Sequence, residues 1–236
     1  MRFESFQMNL LRHLPNALTC GNLFCGCVGI LFAVQYSPIT AAYFVWAACV
    51  FDFFDGFAAR ALHYSSPIGK ELDSLADMVS FGVLPAITMF SLIESHTFNS
   101  FFSYNAFLLT IFSALRLAKF NIDDRQKDSF IGLPVPANAL FITGLVFLPT
   151  PFDQVTSSVP MLIAITLVFS FLLVSPLELF ALKFKNTSWG DNKIRFTFIL
   201  VSVLLLALFK AGAIPLIILL YIAFSLGNRI LSSQKN

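Results

Sequence analysis

Residues 52–77 read DFFDGFAARALHYSSPIGKELDSLAD, which sets four aspartates at the junction of two long apolar runs, 39–61 and 73–93. Each run is long enough to cross a hydrocarbon core about 30 Å thick. An Asp at the centre of such a helix costs about 2.5–3.5 kcal/mol, so a cluster of them marks an ion pair, a conduit or an ion site. Asp52 and Asp55 are three residues apart, Asp73 and Asp77 four, so each pair projects from one face of its helix. Gly56, Pro67 and Gly69 in the stretch 56–72 let the chain turn and return antiparallel, which brings both pairs to similar depth. The carboxylates repel one another unless a cation lies between them. Their all-oxygen cage suits Mg²⁺ or Mn²⁺ ahead of zinc or copper, with Ca²⁺ also fitting. The same spacing also serves pairing with Arg60 and Lys70, or the lining of a water-filled conduit, and spacing alone leaves these open.

The chain around this stretch has a membrane composition. Of 236 residues, 57% are hydrophobic, 29 are Phe and 12% are charged, where soluble domains carry about 25% charged residues. Apolar runs of spanning length occur at 16–36, 39–61, 73–93, 99–118, 134–149, 159–177, 195–210 and 213–231. With eight spans, 14 of the 15 Lys and Arg fall on one side, and only Lys210 falls opposite. Cytoplasmic loops carry the excess of basic residues, so both termini and the segments 60–73, 118–133 and 178–194 are expected there. The opening MRFESFQMNLLRHL places Phe3, Phe6, Leu10 and Leu14 near one helical face, as in an interfacial helix rather than a signal peptide. Cys20, Cys25, Cys27 and Cys49 lie inside spans without paired spacing and read as packing residues. The expectation is one domain over 1–236, an all-α polytopic membrane bundle of about eight transmembrane helices with an N-terminal interfacial helix. It is expected to sit in a cell membrane, and no nucleic-acid partner is expected.

The full string D-x₂-D-G-x₂-A-R-x₈-G-x₃-D-x₃-D resembles the signature of the CDP-alcohol phosphatidyltransferases, with every position filled: Asp52, Asp55, Gly56, Ala59, Arg60, Gly69, Asp73 and Asp77. The resemblance implies a six-helix core, here with two further helices, and a homodimer. It also implies a site for two divalent cations held by Asp52, Asp55, Asp73 and Asp77, with Asp77 also the general base. The physics of two-metal displacement at phosphorus agrees with that reading. Gly56 leaves room for a nucleotide beside the metals, and Arg60, one turn further along, offers a planar fork to phosphate. Gly69 belongs to the same inferred nucleotide contacts. Close helix packing for Gly56 and a snorkelling Arg60 are the alternatives.

Four further segments are similar to the phosphatidylserine synthases within that family: LPNALTCGNLFCG at 14–26, Ser80-Phe81-Gly82, LRLAKFN at 115–121 and FIGLPVPANA at 130–139. That similarity implies CDP-diacylglycerol and L-serine as substrates, with phosphatidylserine and CMP as products. Asn16 and Thr19 are the polar handles of the first segment. Asn16 stands at the entry to the first span, where it either meets the nucleotide or caps the helix beside Pro15. Arg116, at the end of the fourth span, can hold the serine carboxylate bidentately, with Lys119 and Asn121 within a turn of it. All three also suit anchoring at the headgroups. Lys119 departs from the segment's commonest form, which has Arg there. Glu178 reads as the partner of Lys183 or Lys185. No Ser, Cys or His is read as a covalent nucleophile among the aspartates, and His63 is in the loop, so direct attack by the acceptor hydroxyl is expected. Two rivals stand beside this: the same transfer to glycerol 3-phosphate or an inositol phosphate, and a cation transporter whose pathway passes the aspartates.

Overall fold

The computed structural model describes residues 12–35, 37–64, 66–123, 129–180 and 189–233. The expected interfacial helix falls on residues 1–11, and the lysines offered as partners of Glu178 on 183 and 185, outside the described residues. Helix α1, Leu14–Gln35, and α2, Pro38–Ala61, form an antiparallel hairpin, with Pro38 in the first turn of α2 where its missing N–H is harmless. Their interface is built from small residues. Ala41, Ala42, Val45 and Ala48 are wholly buried, and a Cβ on Gly29 would stand 3.0 Å from Phe44 Cβ. Such residues let helix backbones approach where lipid tails supply no hydrophobic drive.

Helix α3, Pro67–Asp77, begins after a short turn in which His63 takes φ 49°. Ser66 caps it: its Oγ accepts from the Gly69 N–H at 3.0 Å, with Pro67 in the first turn. The third span therefore starts six residues before the expected 73, and Gly56 and Gly69 are helical rather than part of the turn. Residues 67–77, PIGKELDSLAD, are apolar on one face only, which is why hydropathy misses them. The chain continues through a π-helical stretch, Met78–Val83, into α4, Leu84–Glu94. Over Pro67–Glu94 the most apolar window is 67% buried, against 22–33% in the other long spans, so this segment is the central one.

A 3₁₀ segment, Ser100–Ala106, leads into α5, Phe107–Ile122. Strand β1, Ser129–Ile131, precedes α6, Val135–Gly144, and its 3₁₀ extension Leu145–Phe147. Then come α7, Val159–Val174, strand β2, Glu178–Phe180, helix α8, Trp189–Phe209, and α9, Ala213–Ser233. The apolar stretch Asn192–Gly227 is two helices, broken by Lys210 at φ 51° and the 3₁₀ turn Lys210–Gly212. The expected runs thus each contain a helix.

One feature of the ends was not expected. β1 and β2 pair antiparallel, Phe130 opposite Leu179, as a two-stranded ribbon. Gly132, at φ 81°, leaves β1 against the Leu173 carbonyl, where a Cβ would collide. Tyr221 Oη donates to the Phe180 carbonyl at 3.0 Å and ties α9 to the ribbon. One apolar cluster joins α1, α2 and α4 around Phe81 and Leu84; a second joins α4 to α9 around Met89, Leu109, Ile142 and Leu162. Phe24, Val34, Val50, Phe57, Leu200 and Leu208 point outward and make an apolar outer surface suited to acyl chains. The chain is a polytopic membrane bundle.

Candidate active site

The end of α2 and helix α3 both pack against α1. There one carboxylate oxygen from each of Asp52, Asp55 and Asp73 lies within 4.8 Å of the others. Oxygens bound to one hard cation, at about 2.1–2.5 Å each, stand up to roughly 4–5 Å apart, so this trio fits such an ion. Asp77 is outside the trio but lines the same cavity. Of the bases that offered a competing explanation, Lys70 is bonded elsewhere, while Arg60 stays in the cavity of the aspartates. Lys70 Nζ donates to the Asn121 carbonyl at 2.9 Å, and the Arg60 guanidinium lies beside Gly56, 3.4 Å from where a Cβ would be.

Helix α1 holds two of the four aspartates. Thr19 Oγ1, 3.0 Å from the Pro15 carbonyl, donates to Asp55 Oδ2 at 2.7 Å, and Asn22 Nδ2 donates to Asp77 Oδ1 at 3.0 Å. Asp55 and Asp77 are buried, 6% and 8% exposed, so each bond is made out of bulk water and counts for more than its surface equivalent. Sequence reasoning missed Asn22 and left Thr19 without a role. The signal was there: Asn16, Thr19 and Asn22 recur every three residues in an otherwise apolar span.

Three cavities share these walls. A small one of about 170 Å³ is lined by Asn16, Thr19, Asp55, Gly56, Gly69 and Asp73. It gathers three of the four expected nucleotide contacts. A Cβ on Gly69 would stand 2.9 Å from Asn16 Oδ1, so glycine here is what lets α1 and α3 close on each other. The central cavity, about 400 Å³, holds all four aspartates with Arg60 and Arg116. Apart from Gly56 and Ser74, its remaining wall is apolar, from Phe53, Leu117 and Phe120 to Pro134, Val135 and Pro136. Arg116 also lines an outer cavity of about 510 Å³, where Lys119 and Asp123 face it.

Arg116 is 4% exposed, its Nε is without a hydrogen-bond partner, and its guanidinium stands 5.2 Å from the Phe120 ring centroid. A buried cation so placed is poised for an anion. Asn121 sits apart from both cavities. Its Nδ2 donates to Ser74 Oγ at 2.9 Å, which braces α5 against α3. Arg60 joins the central cavity rather than the small one.

The chain is similar to known proteins over the part that carries these residues. The family profile described as CDP-alcohol phosphatidyltransferase matches residues 12–172. A Bacillus subtilis protein named CDP-diacylglycerol–serine O-phosphatidyltransferase is 36% identical over 141 residues, 60% of this chain and 79% of that protein. Proteins of the same name from Helicobacter pylori strain J99 and Methanocaldococcus jannaschii are 36% and 33% identical over 147 and 139 residues. Those matches take in 61% and 59% of this chain, and 62% and 63% of the relatives, less than two thirds of their length. Because the profile spans α1 to α7 and so contains every aspartate of the central cavity, the chain belongs to the CDP-alcohol phosphatidyltransferase family.

Proposed function

We propose that the chain transfers the phosphatidyl group of CDP-diacylglycerol to L-serine, giving phosphatidylserine and CMP. The observation that carries this is the central cavity, where four carboxylates and two guanidinium groups share a wall with an apolar face. Carboxylates and Arg60 suit a diphosphate with its cations, the apolar face suits a lipid, and Arg116 suits a small carboxylate. The names of the similar proteins support serine as acceptor.

Asp52, Asp55, Asp73 and Asp77 would hold two divalent cations, Mg²⁺ or Mn²⁺, with Ca²⁺ fitting the same donors. Such ions neutralise the diphosphate and favour in-line displacement at phosphorus. Asn16, Gly56 and Gly69 admit the nucleotide, and Arg60 engages phosphate from the last turn of α2. Arg116, with Lys119 beside it, fixes the serine carboxylate. Asp77 takes the proton of the serine hydroxyl as its oxygen bonds to the lipid-side phosphorus. The bond from that phosphorus to the bridging oxygen breaks, and CMP leaves with the electron pair. Arg60, Lys70, Arg116 and Lys119 line the cavities at this end of the bundle, which supports a cytoplasmic site.

A cation conduit is not favoured. Among the deeper hydroxyls, three serve their own helices: Thr88 donates to the Leu84 carbonyl, Thr143 to Ala139 and Thr166 to Leu162. The test is purified protein with CDP-diacylglycerol, Mn²⁺ or Mg²⁺, and each of serine, glycerol 3-phosphate, inositol phosphate or no alcohol. CMP release specific to serine is expected, and release specific to another alcohol contradicts the acceptor.

A further inference from the structure

The bond between Asn22 and Asp77 joins residues 55 positions apart, and both side chains are enclosed. Asn22 is 0% exposed, and its own Oδ1 has no hydrogen-bond partner. A buried amide oxygen without a partner is unfavourable, and an apolar residue of that size would avoid it. What Asn22 supplies in return is a donor aimed at one carboxylate oxygen.

The backbone around this bond is locked on both sides. Ser80 Oγ donates to the Asn22 carbonyl at 2.9 Å, and a Cβ on Gly26, one turn further along α1, would stand 3.0 Å from Ser80 Cα. Ser80 belongs to the π-helical stretch that starts at Met78, directly after Asp77. Single π turns inside α-helices are frequent at functional sites. The Ser80-Phe81-Gly82 segment, which the proposed reaction leaves without a role, is thus the other jaw of a clamp on α1.

We propose that Asn22 is a positioning residue for Asp77: it fixes Oδ1, so that Oδ2 is the oxygen that meets the acceptor hydroxyl. This rests on the reaction proposed above and deepens it. An unbonded carboxylate turns about its last torsion and offers either oxygen in many directions. A base displaced by about 1 Å loses on the order of 10²-fold in rate. The clamp from Ser80 holds the helix backbone from which Asn22 projects, so its removal acts on Asp77 at one remove.

The full chain in lipid nanodiscs, with CDP-diacylglycerol, Mn²⁺ and whichever alcohol releases CMP, carries the test. Asn22→Leu is expected to lower kcat about 10- to 100-fold while both KM values stay within about threefold. Mn²⁺ binding followed by electron paramagnetic resonance is expected to match the unsubstituted protein. Ser80→Ala is expected to lower kcat by about 3- to 10-fold with the same KM values. Unchanged kcat in Asn22→Leu overturns the inference, as does a loss that comes with weaker Mn²⁺ binding or raised KM. Where Asn22→Leu does not fold, Asn22→Gln and Ser80→Ala decide, and full kcat in both overturns it. Release of CMP with an alcohol other than serine contradicts the acceptor but leaves Asn22 standing. No release with any alcohol overturns both.

Discussion

The guanidinium of Arg116 stands 5.2 Å from the Phe120 ring centroid on the next turn of α5, enclosed between the central and outer cavities. The aromatic face steadies the cation, and Asp123 faces it from the outer cavity. Arg116→Lys keeps the charge and loses the fork, and is expected to raise the KM for serine about 10-fold. Arg116→Ala is expected to raise it by about 100-fold, with the KM for CDP-diacylglycerol little changed. Steady-state kinetics with both substrates varied would check this.

Asn121 lies five residues along the same helix but braces Ser74 and accepts from Lys70 through its carbonyl. Asn121→Leu is expected to lower thermal stability by about 1 kcal/mol, the worth of one such bond, with the KM for serine unchanged within about twofold. A melting curve and one serine titration separate the brace from an acceptor contact.

Gly69 and Asn16 approach so closely that an added methyl would stand 2.9 Å from Asn16 Oδ1. Gly69→Ala is expected to raise the KM for CDP-diacylglycerol about 3- to 10-fold by pushing α1 and α3 apart. Asn16→Ala is expected to raise it too, and the double variant to lose less than the product of the two, since the residues share one contact.

The spans and the aspartates were legible because each carries a strong local signal. An apolar run of twenty residues announces a crossing, and Asp at that depth announces a purpose. The start of α3 was not legible by hydropathy, since Lys70, Glu71, Asp73 and Ser74 lower the average of a helix that Ser66 and Pro67 nevertheless begin. The ribbon joins three-residue strands 49 positions apart, from Phe130 to Leu179, too short to show a period. The π-helical stretch has no composition of its own. Asn22 was hidden by reading 16–36 for length rather than for the polar stripe that crosses it.

Chelation tests the trio of Asp52, Asp55 and Asp73. Removal of divalent cations is expected to abolish transfer, and Mn²⁺ or Mg²⁺ to restore it. Asp52→Asn and Asp73→Asn are each expected to raise the metal concentration for half activity by about 10-fold or more, read from a metal titration.

The central claim is that Asp77 takes the proton in a metal-dependent transfer. Asp77→Asn keeps the shape of the side chain and removes the base, so the decisive measurement is its rate of serine incorporation into lipid beside its binding of CDP-diacylglycerol. A loss of about 10³-fold or more with lipid binding retained is the result expected. Incorporation near the unsubstituted rate would contradict the account.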